Sequence, residues 1–249
     1  MIDYSATGQG PVLLLCPGGD GDPAGVTALA AQLADAWTVV TYRRGGHPTI
    51  AQHAADAAAV LDQVGGGPVA VFGSSFGGLV ALELVLGHPE AVSTLVAHEP
   101  PLLAVLPAAD PAPAQMHAMH TAAAADMRSA GPLMLATTGT RMDEWEGARP
   151  MSAPDPGRLG VMQRFFADVA PAAERYAPDP AAIRTAASTT QIVPAVGTTA
   201  TGHFPYRCAE ALGRLIDVPV ARMPGAHNGM ITHPRAFAAA LRELLTITS

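Results

Sequence analysis

The chain predicts an α/β fold with a largely parallel sheet and helices on both faces. Three observations carry that expectation. Short apolar runs bounded by Pro and Gly alternate with helix-spaced segments along both ends of the chain. One alternation, Pro68 to Leu86, passes from strand to helix across a single glycine-rich turn. Between about Leu102 and Ser188 the strand-like runs stop and Ala-, Pro- and Met-rich helical stretches replace them, which predicts an inserted helical cap.

In chain order, Ile2 to Ala6 reads as a short strand before the turn at Gly8-Gln9-Gly10-Pro11. Val12 to Cys16 is continuously apolar, as a strand buried on both faces must be. After the loop Pro17-Gly18-Gly19-Asp20-Gly21-Asp22 come a helix-spaced run, Val26 to Ala36, and a β-rich one, Thr38 to Tyr42. Arg43 to Pro48 is a loop, and Ile50 to Val64 a helix stopped by Gly65-Gly66-Gly67. Val69 to Phe72 enters the turn Gly73-Ser74-Ser75-Phe76-Gly77-Gly78, and Leu79 to Leu86 reads as its helix. A fourth buried strand, Val92 to Ala97, ends at His98-Glu99-Pro100-Pro101.

The inserted segment predicts helices over Ala114 to Ser129 and Leu159 to Val169, separated by breaks such as Ser152-Ala153-Pro154-Asp155-Pro156. Its methionines, among them Met116, Met119, Met134, Met151 and Met162, read first as packing and second as an adaptable pocket lining. The alternation resumes with Gln191 to Val196, a helix from Tyr206 to Ile216, the strand Val218 to Met223, the loop Pro224 to Gly229 and a helix from Pro234 to Leu245. Residues 1–101 and 189–249 are therefore expected to form the core and 102–188 the cap.

Composition narrows the function classes. Hydrophobic residues are 49% and charged ones 14%, yet no apolar run approaches the ~20 residues that span a bilayer. The start, Met1-Ile2-Asp3-Tyr4, lacks a basic region and a long apolar one, so the expectation is a cytoplasmic protein. A formal charge of −7 argues against nucleic acid as a partner. Cys16 and Cys208 read as two isolated, buried thiols. The expected partner is a small molecule, the assembly a monomer or homodimer.

The turn after Val69 to Phe72 carries the chemistry. G-x-S-x-G between a buried strand and a helix is the nucleophile elbow, with Ser75 at the strained apex and Gly73 and Gly77 removing clashing side chains. A serine hydroxyl needs a base, and the base an orienting partner. Of nine histidines, His227 in Pro224-Gly225-Ala226-His227-Asn228-Gly229 follows the last strand and is the expected base. His233 reads as part of a helix start, and His53, His88, His117, His120 and His203 as packed or solvated.

The usual acid position follows Gln191 to Val196, but the loop from Gly197 to Cys208 has no Asp or Glu. Glu99, one strand earlier, is the expected acid, in the chain order Ser75, Glu99, His227. An oxyanion would meet the Phe76 N–H and one from Pro17-Gly18-Gly19, best supplied by Gly19. Around it Gly18, Asp20, His98, Met116 and Met119 are expected to touch substrate, with Arg43, Arg44 and His47 as further polar contacts. No metal or cofactor is expected. A phosphate-binding reading of Pro17-Gly18-Gly19 lacks both the P-loop lysine and a G-x-G-x-x-G at a helix start.

These motifs, Pro17-Gly18-Gly19, Gly73-Ser74-Ser75-Phe76-Gly77-Gly78, His98-Glu99-Pro100-Pro101 and Pro224-Gly225-Ala226-His227-Asn228-Gly229, resemble the α/β-hydrolase superfamily over essentially the whole chain. More narrowly they resemble its small serine hydrolases of actinobacterial type. The resemblance implies a mostly parallel sheet of eight strands, a cap over the site, and hydrolysis of esters, thioesters or lactones without a cofactor. Two departures stand out: the start is too short for the usual first strand, and the acid follows an earlier strand, as in some lipases, haloalkane dehalogenases and lactonases. Serine at the elbow counts against dehalogenase or epoxide hydrolase chemistry. It leaves open a lyase, a perhydrolase, a cofactor-free oxygenase or a ligand-binding module with an idle triad.

Overall fold

The structure, a computed structural model, describes residues 2–147 and 156–246. Met151 and the proline-rich break at 152–155 lie outside the described residues. Seven strands form one sheet: β1 (Tyr4–Thr7), β2 (Val12–Cys16), β3 (Thr38–Tyr42), β4 (Val69–Ser74), β5 (Val92–His98), β6 (Gln191–Gly197) and β7 (Ala221–Met223). Their spatial order is β1-β3-β2-β4-β5-β6-β7. Only the edge strand β1 is antiparallel, Tyr4 facing Tyr42. The register sets Cys16 beside Gly73, Ser74 beside His98, and His98 beside Ala195. The carboxyl ends of β2, β4, β5 and β6 thus share one edge, where α/β sheets gather functional groups.

Side-chain alternation along the strands divides the core between the two faces. Leu13, Leu15, Val39, Phe72 and Val96 pack on one face with Leu29 and Leu33 of α1 (Thr27–Leu33). Leu14, Val40, Val71 and Leu95 pack on the other with α2 (Ile50–Val64) and α3 (Phe76–Gly87). α3 lies between sheet and outer helices and, Glu83 apart, carries only apolar side chains, as a helix with almost no solvent face must.

Between β5 and β6 the chain runs through α4 (Ala112–Ala125), α5 (Met127–Thr138), α6 (Pro156–Arg164), α7 (Pro171–Arg175) and α8 (Pro180–Ala186). Side chains tie this segment to the rest: Tyr176 donates to Glu83 at 2.8 Å, and Arg207 forms a fork on Asp110 at 2.7 and 3.1 Å. After β6 come α9 (Phe204–Ile216), the short turn of helix α10 (Gly229–Thr232) and α11 (Pro234–Thr246), whose Phe237 and Leu241 join the α1 face. No helix among the described residues is long and apolar enough to cross a membrane.

Element boundaries differ from expectation where local chemistry decides them. α3 starts at Phe76, three residues earlier than predicted, because Gly77 and Gly78 are its first turn and not a break. The single helix expected over Ala114 to Ser129 is two: Asp126, at φ −152°, ends α4 and caps α5 by accepting from the Arg128 N–H. β7 begins at Ala221 instead of Val218. The Val218 N–H closes α9 on the Gly213 carbonyl, and Pro219 has no N–H for the ladder.

Candidate active site

Ser75 sits between β4 and α3 with φ 51° and ψ −124°, a conformation a side-chain-bearing residue adopts only at a cost of about 1–3 kcal/mol. The surrounding glycines make that turn possible. A Cβ on Gly77 would lie 2.1 Å from the Cys16 carbonyl oxygen, and one on Gly73 would lie 2.7 Å from that of Gly77. Gly18 also approaches, less closely, from the loop after β2, where a Cβ would stand 3.1 Å from that of Ser75. The Ser75 N–H donates to the His98 carbonyl at 2.9 Å, which pins the apex to the end of β5.

Glu99 follows β5 and is also left-handed, at φ 46°. Its N–H bonds the Ala195 carbonyl, and its side chain is fully buried. One carboxylate oxygen accepts the Gly197 N–H at 2.8 Å, and the other lies 2.6 Å from His227 Nδ1. Burial alone pushes this carboxyl up, but the His227 hydrogen bond, the His98 and His227 rings and the Gly197 N–H together hold it below the ordinary glutamate value. An ionised carboxylate only accepts, so Nδ1 carries the ring proton and Nε2 is left as a lone-pair acceptor.

His227 itself stands on the loop after β7. The Thr199 N–H donates to the Gly225 carbonyl there, and the side-chain-free Gly197 lets the Ala226 backbone approach, since a Cβ would meet it at 2.6 Å. Ser75 and His227 line one cavity of about 330 Å³, but no hydrogen bond joins them. Gly19, at φ 52°, and Phe76 line the same cavity, and neither N–H has an acceptor among the described residues.

Gly18, Asp20, Met116 and Met119 also line this cavity, whose far wall includes Met134, Met162, Phe165 and Phe166. Asp20 is held in a fork by Arg158 of α6, with one arm at 2.9 Å. His98, expected at the substrate, is instead fully buried away from the cavity, wedged against Phe72, Phe237 and the His227 ring. Both its nitrogens lack a partner, and burial lowers its pKa to about 4. The expectation fails because its side chain points into the sheet's helical face, while the next residue, Glu99, turns to the site.

The three further polar contacts are corrected as well. Arg44 is buried, its guanidinium over the Phe76 ring at 4.6 Å, and donates to the Pro17 carbonyl at 2.5 Å and to that of Gly19. It therefore braces the Gly18–Gly19 loop from behind. Arg43 reaches Asp22 at 3.2 Å and His47 reaches Asp56 at 2.8 Å, and neither lines the cavity. His120 on α4, which the sequence reads as packed or solvated, instead lines the cavity, because helical spacing alone does not tell which face meets it. Among the described residues no group of three or more His, Cys, Asp or Glu is placed to hold a metal ion.

A fold and site of this kind define a hydrolase class, and comparison with known proteins agrees. The model of the alpha/beta hydrolase family matches residues 13–240, and the chain belongs to that family. It is 30% identical over 257 residues to the uncharacterized hydrolase YraK of Bacillus subtilis (strain 168), covering 98% of this chain and 92% of that one. Among solved structures, a thermophilic esterase from Thermogutta terrifontis superposes with a TM-score of 0.72 at 18% identity, covering 99% of this chain and 93% of that chain. Est816, described as an N-acyl homoserine lactone degrading enzyme, gives 0.69 at 17% identity, with 97% and 96% covered. At such identities the two structures speak for the fold.

Proposed function

We propose that the protein is a serine hydrolase that cleaves a carboxylic ester, thioester or lactone through an acyl-enzyme on Ser75. The observation that carries this reading is the 2.6 Å contact between buried Glu99 and His227 Nδ1, beside an elbow serine on the same cavity. With Nδ1–H committed to Glu99, Nε2 takes the Ser75 proton as Oγ adds to the acyl carbon. The carbonyl oxygen gains charge between the Gly19 and Phe76 N–H groups, where each donor contributes roughly 2.7–4 kcal/mol to the transition state. The imidazolium then protonates the leaving oxygen or sulfur, and water repeats the cycle on the acyl-enzyme. Such hydrogen bonds often form fully only with substrate bound, and the mechanism needs Nε2 within about 3 Å of Oγ there.

Residues 102–188 act as a cap in this reading, closing the cavity with Met116, Met119, Met134 and Met162. Their flexible thioethers suit a small to medium, mainly apolar acyl group. A fluorophosphonate probe followed by intact-mass analysis tests the nucleophile. The wild type should gain one label and Ser75→Ala none, with kcat on an activated ester lower by about 10⁵–10⁶. A label that persists in Ser75→Ala, or turnover that survives it, would overturn the reading in favour of non-hydrolytic chemistry.

A further inference from the structure

His120 gives the cavity a second glutamate–histidine pair. It is 6% exposed and lines the same cavity as Ser75 and His227. Its Nδ1 lies 2.6 Å from one oxygen of Glu174 on α7, while the other oxygen takes His117 Nδ1 at 3.0 Å. The carboxylate accepts, so Nδ1 carries the proton and Nε2 presents a lone pair. Burial lowers the His120 pKa against the raising pull of Glu174, which favours this neutral ring near pH 7. Nε2 has no partner among the described residues, yet it is not sealed off as both nitrogens of His53 and His98 are.

The other polar side chains around the cavity, apart from Ser75 and His227, are engaged. Asp20 and Asp22 hold Arg158, and Thr138 bonds the Met134 carbonyl and Thr140. Asn228 spans both backbone groups of Arg141, and the Ser74 hydroxyl faces the Met230 sulfur. An unsatisfied acceptor in an apolar wall discriminates strongly, because a ligand without a donor leaves it unpaired.

We propose that His120 is a specificity-determining residue: its Nε2 accepts a hydrogen bond from a hydroxyl or amide N–H on the substrate, away from the bond that is cleaved. The preferred substrate is then a mainly apolar ester, thioester or lactone bearing one such donor, and a negatively charged group at that position is disfavoured. Glu174 is a positioning residue that fixes the tautomer. This inference rests on the serine-hydrolase reading for its chemistry, but its binding half is measurable without turnover.

Two measurements test it. The first compares kcat/KM for p-nitrophenyl esters whose acyl chains carry a hydroxyl at successive positions with all-carbon esters of equal size. At one position the wild type should prefer the hydroxyl-bearing ester by about tenfold, and His120→Leu should bring the ratio to one or below. His120→Gln, which keeps an acceptor, should retain part of it. The second measures calorimetric affinity of the matching non-hydrolysable amides in a Ser75→Ala background, with and without the His120 change. If the ester series is not turned over at all, the serine-hydrolase reading fails while these affinities still decide the role of His120. Should Leu prevent folding, seen as a lost melting transition, His120→Phe takes its place. A preference that is absent in the wild type, or unchanged when His120 is replaced, would overturn the proposal.

Discussion

The two sides of the cavity hold the same chemical pair at the same length, and the environments differ. On the sheet side Glu99 meets His227 at 2.6 Å, and on the helical side Glu174 meets His120 at 2.6 Å. The Glu99 carboxylate has no exposure, and its second oxygen is tied to a backbone N–H of the neighbouring strand. The Glu174 side chain is 20% exposed and divides its oxygens between two imidazoles. One pair is held by hydrogen-bonded strand ends and the other by two helices joined through side chains. A fixed pair suits proton transfer at a defined atom, whereas an adaptable one suits recognition of a remote group.

The largest expected difference is catalytic. Glu99→Gln should keep the fold, since an amide oxygen can still accept from Gly197, yet lower kcat by about 10⁴ because the imidazole loses its tautomer and its counter-charge. Glu174→Gln should change kcat on an unsubstituted ester no more than a few-fold. Steady-state kinetics on the two variants side by side check this, and near-equal losses would erase the distinction.

Glycines sharpen the contrast in rigidity. Gly77→Ala would press a methyl carbon to 2.1 Å from the Cys16 carbonyl and should cost several kcal/mol, seen as a collapse of soluble, folded protein. Gly131 of α5 has nothing within 4 Å, so Gly131→Ala should stabilise by about 0.5–1 kcal/mol and raise the melting temperature.

Acid pH should act on the sheet side next. His98 is neutral in the folded protein with its pKa lowered to about 4, against about 6.5 when unfolded. Between those values the unfolded chain binds the extra proton, so stability falls as pH drops from 6.5 towards 4, by about 3 kcal/mol at the lower end. Glu99, lowered in the fold, adds its own loss only as pH falls below the ordinary glutamate range. Melting curves from pH 7 to 4 should show this slope and a shallower one in His98→Leu. Equal slopes would place the titration elsewhere.

The smallest effect belongs to the ion pair between core loop and inserted helices. Asp20→Asn weakens the fork with Arg158, a partly solvated contact worth about 1 kcal/mol or less, and should alter KM a few-fold with little change in kcat. A kcat loss matching that of Glu99→Gln would assign Asp20 to the chemistry.

The strand-side site was legible because its parts are local or lie beyond the carboxyl ends of strands in one parallel sheet. The elbow is a six-residue pattern, Glu99 follows directly on β5 and His227 stands on the loop after β7, so a parallel sheet brings their backbones to one edge. The loop from Gly197 to Cys208, which has no Asp or Glu, even directed attention to Glu99. What misled was direction: His98 and Glu99 are adjacent, and only the left-handed turn at Glu99 sends one side chain inward and the other to the site.

The amino-acid sequence by itself determined the α/β alternation and the sheet edge to which Ser75, Glu99 and His227 are brought. Backbone periodicity and glycine placement are local properties, and a parallel sheet has few ways to connect them. Only the tertiary structure decided that Arg44 braces a loop, that Arg158 reaches Asp20, and that His120 faces the cavity with Glu174 behind it. Those pairings join residues 25, 138 and 54 positions apart, each through at least one side chain. No periodicity records them, because which helix faces meet is settled by how the inserted segment packs and not by any one segment's own preference.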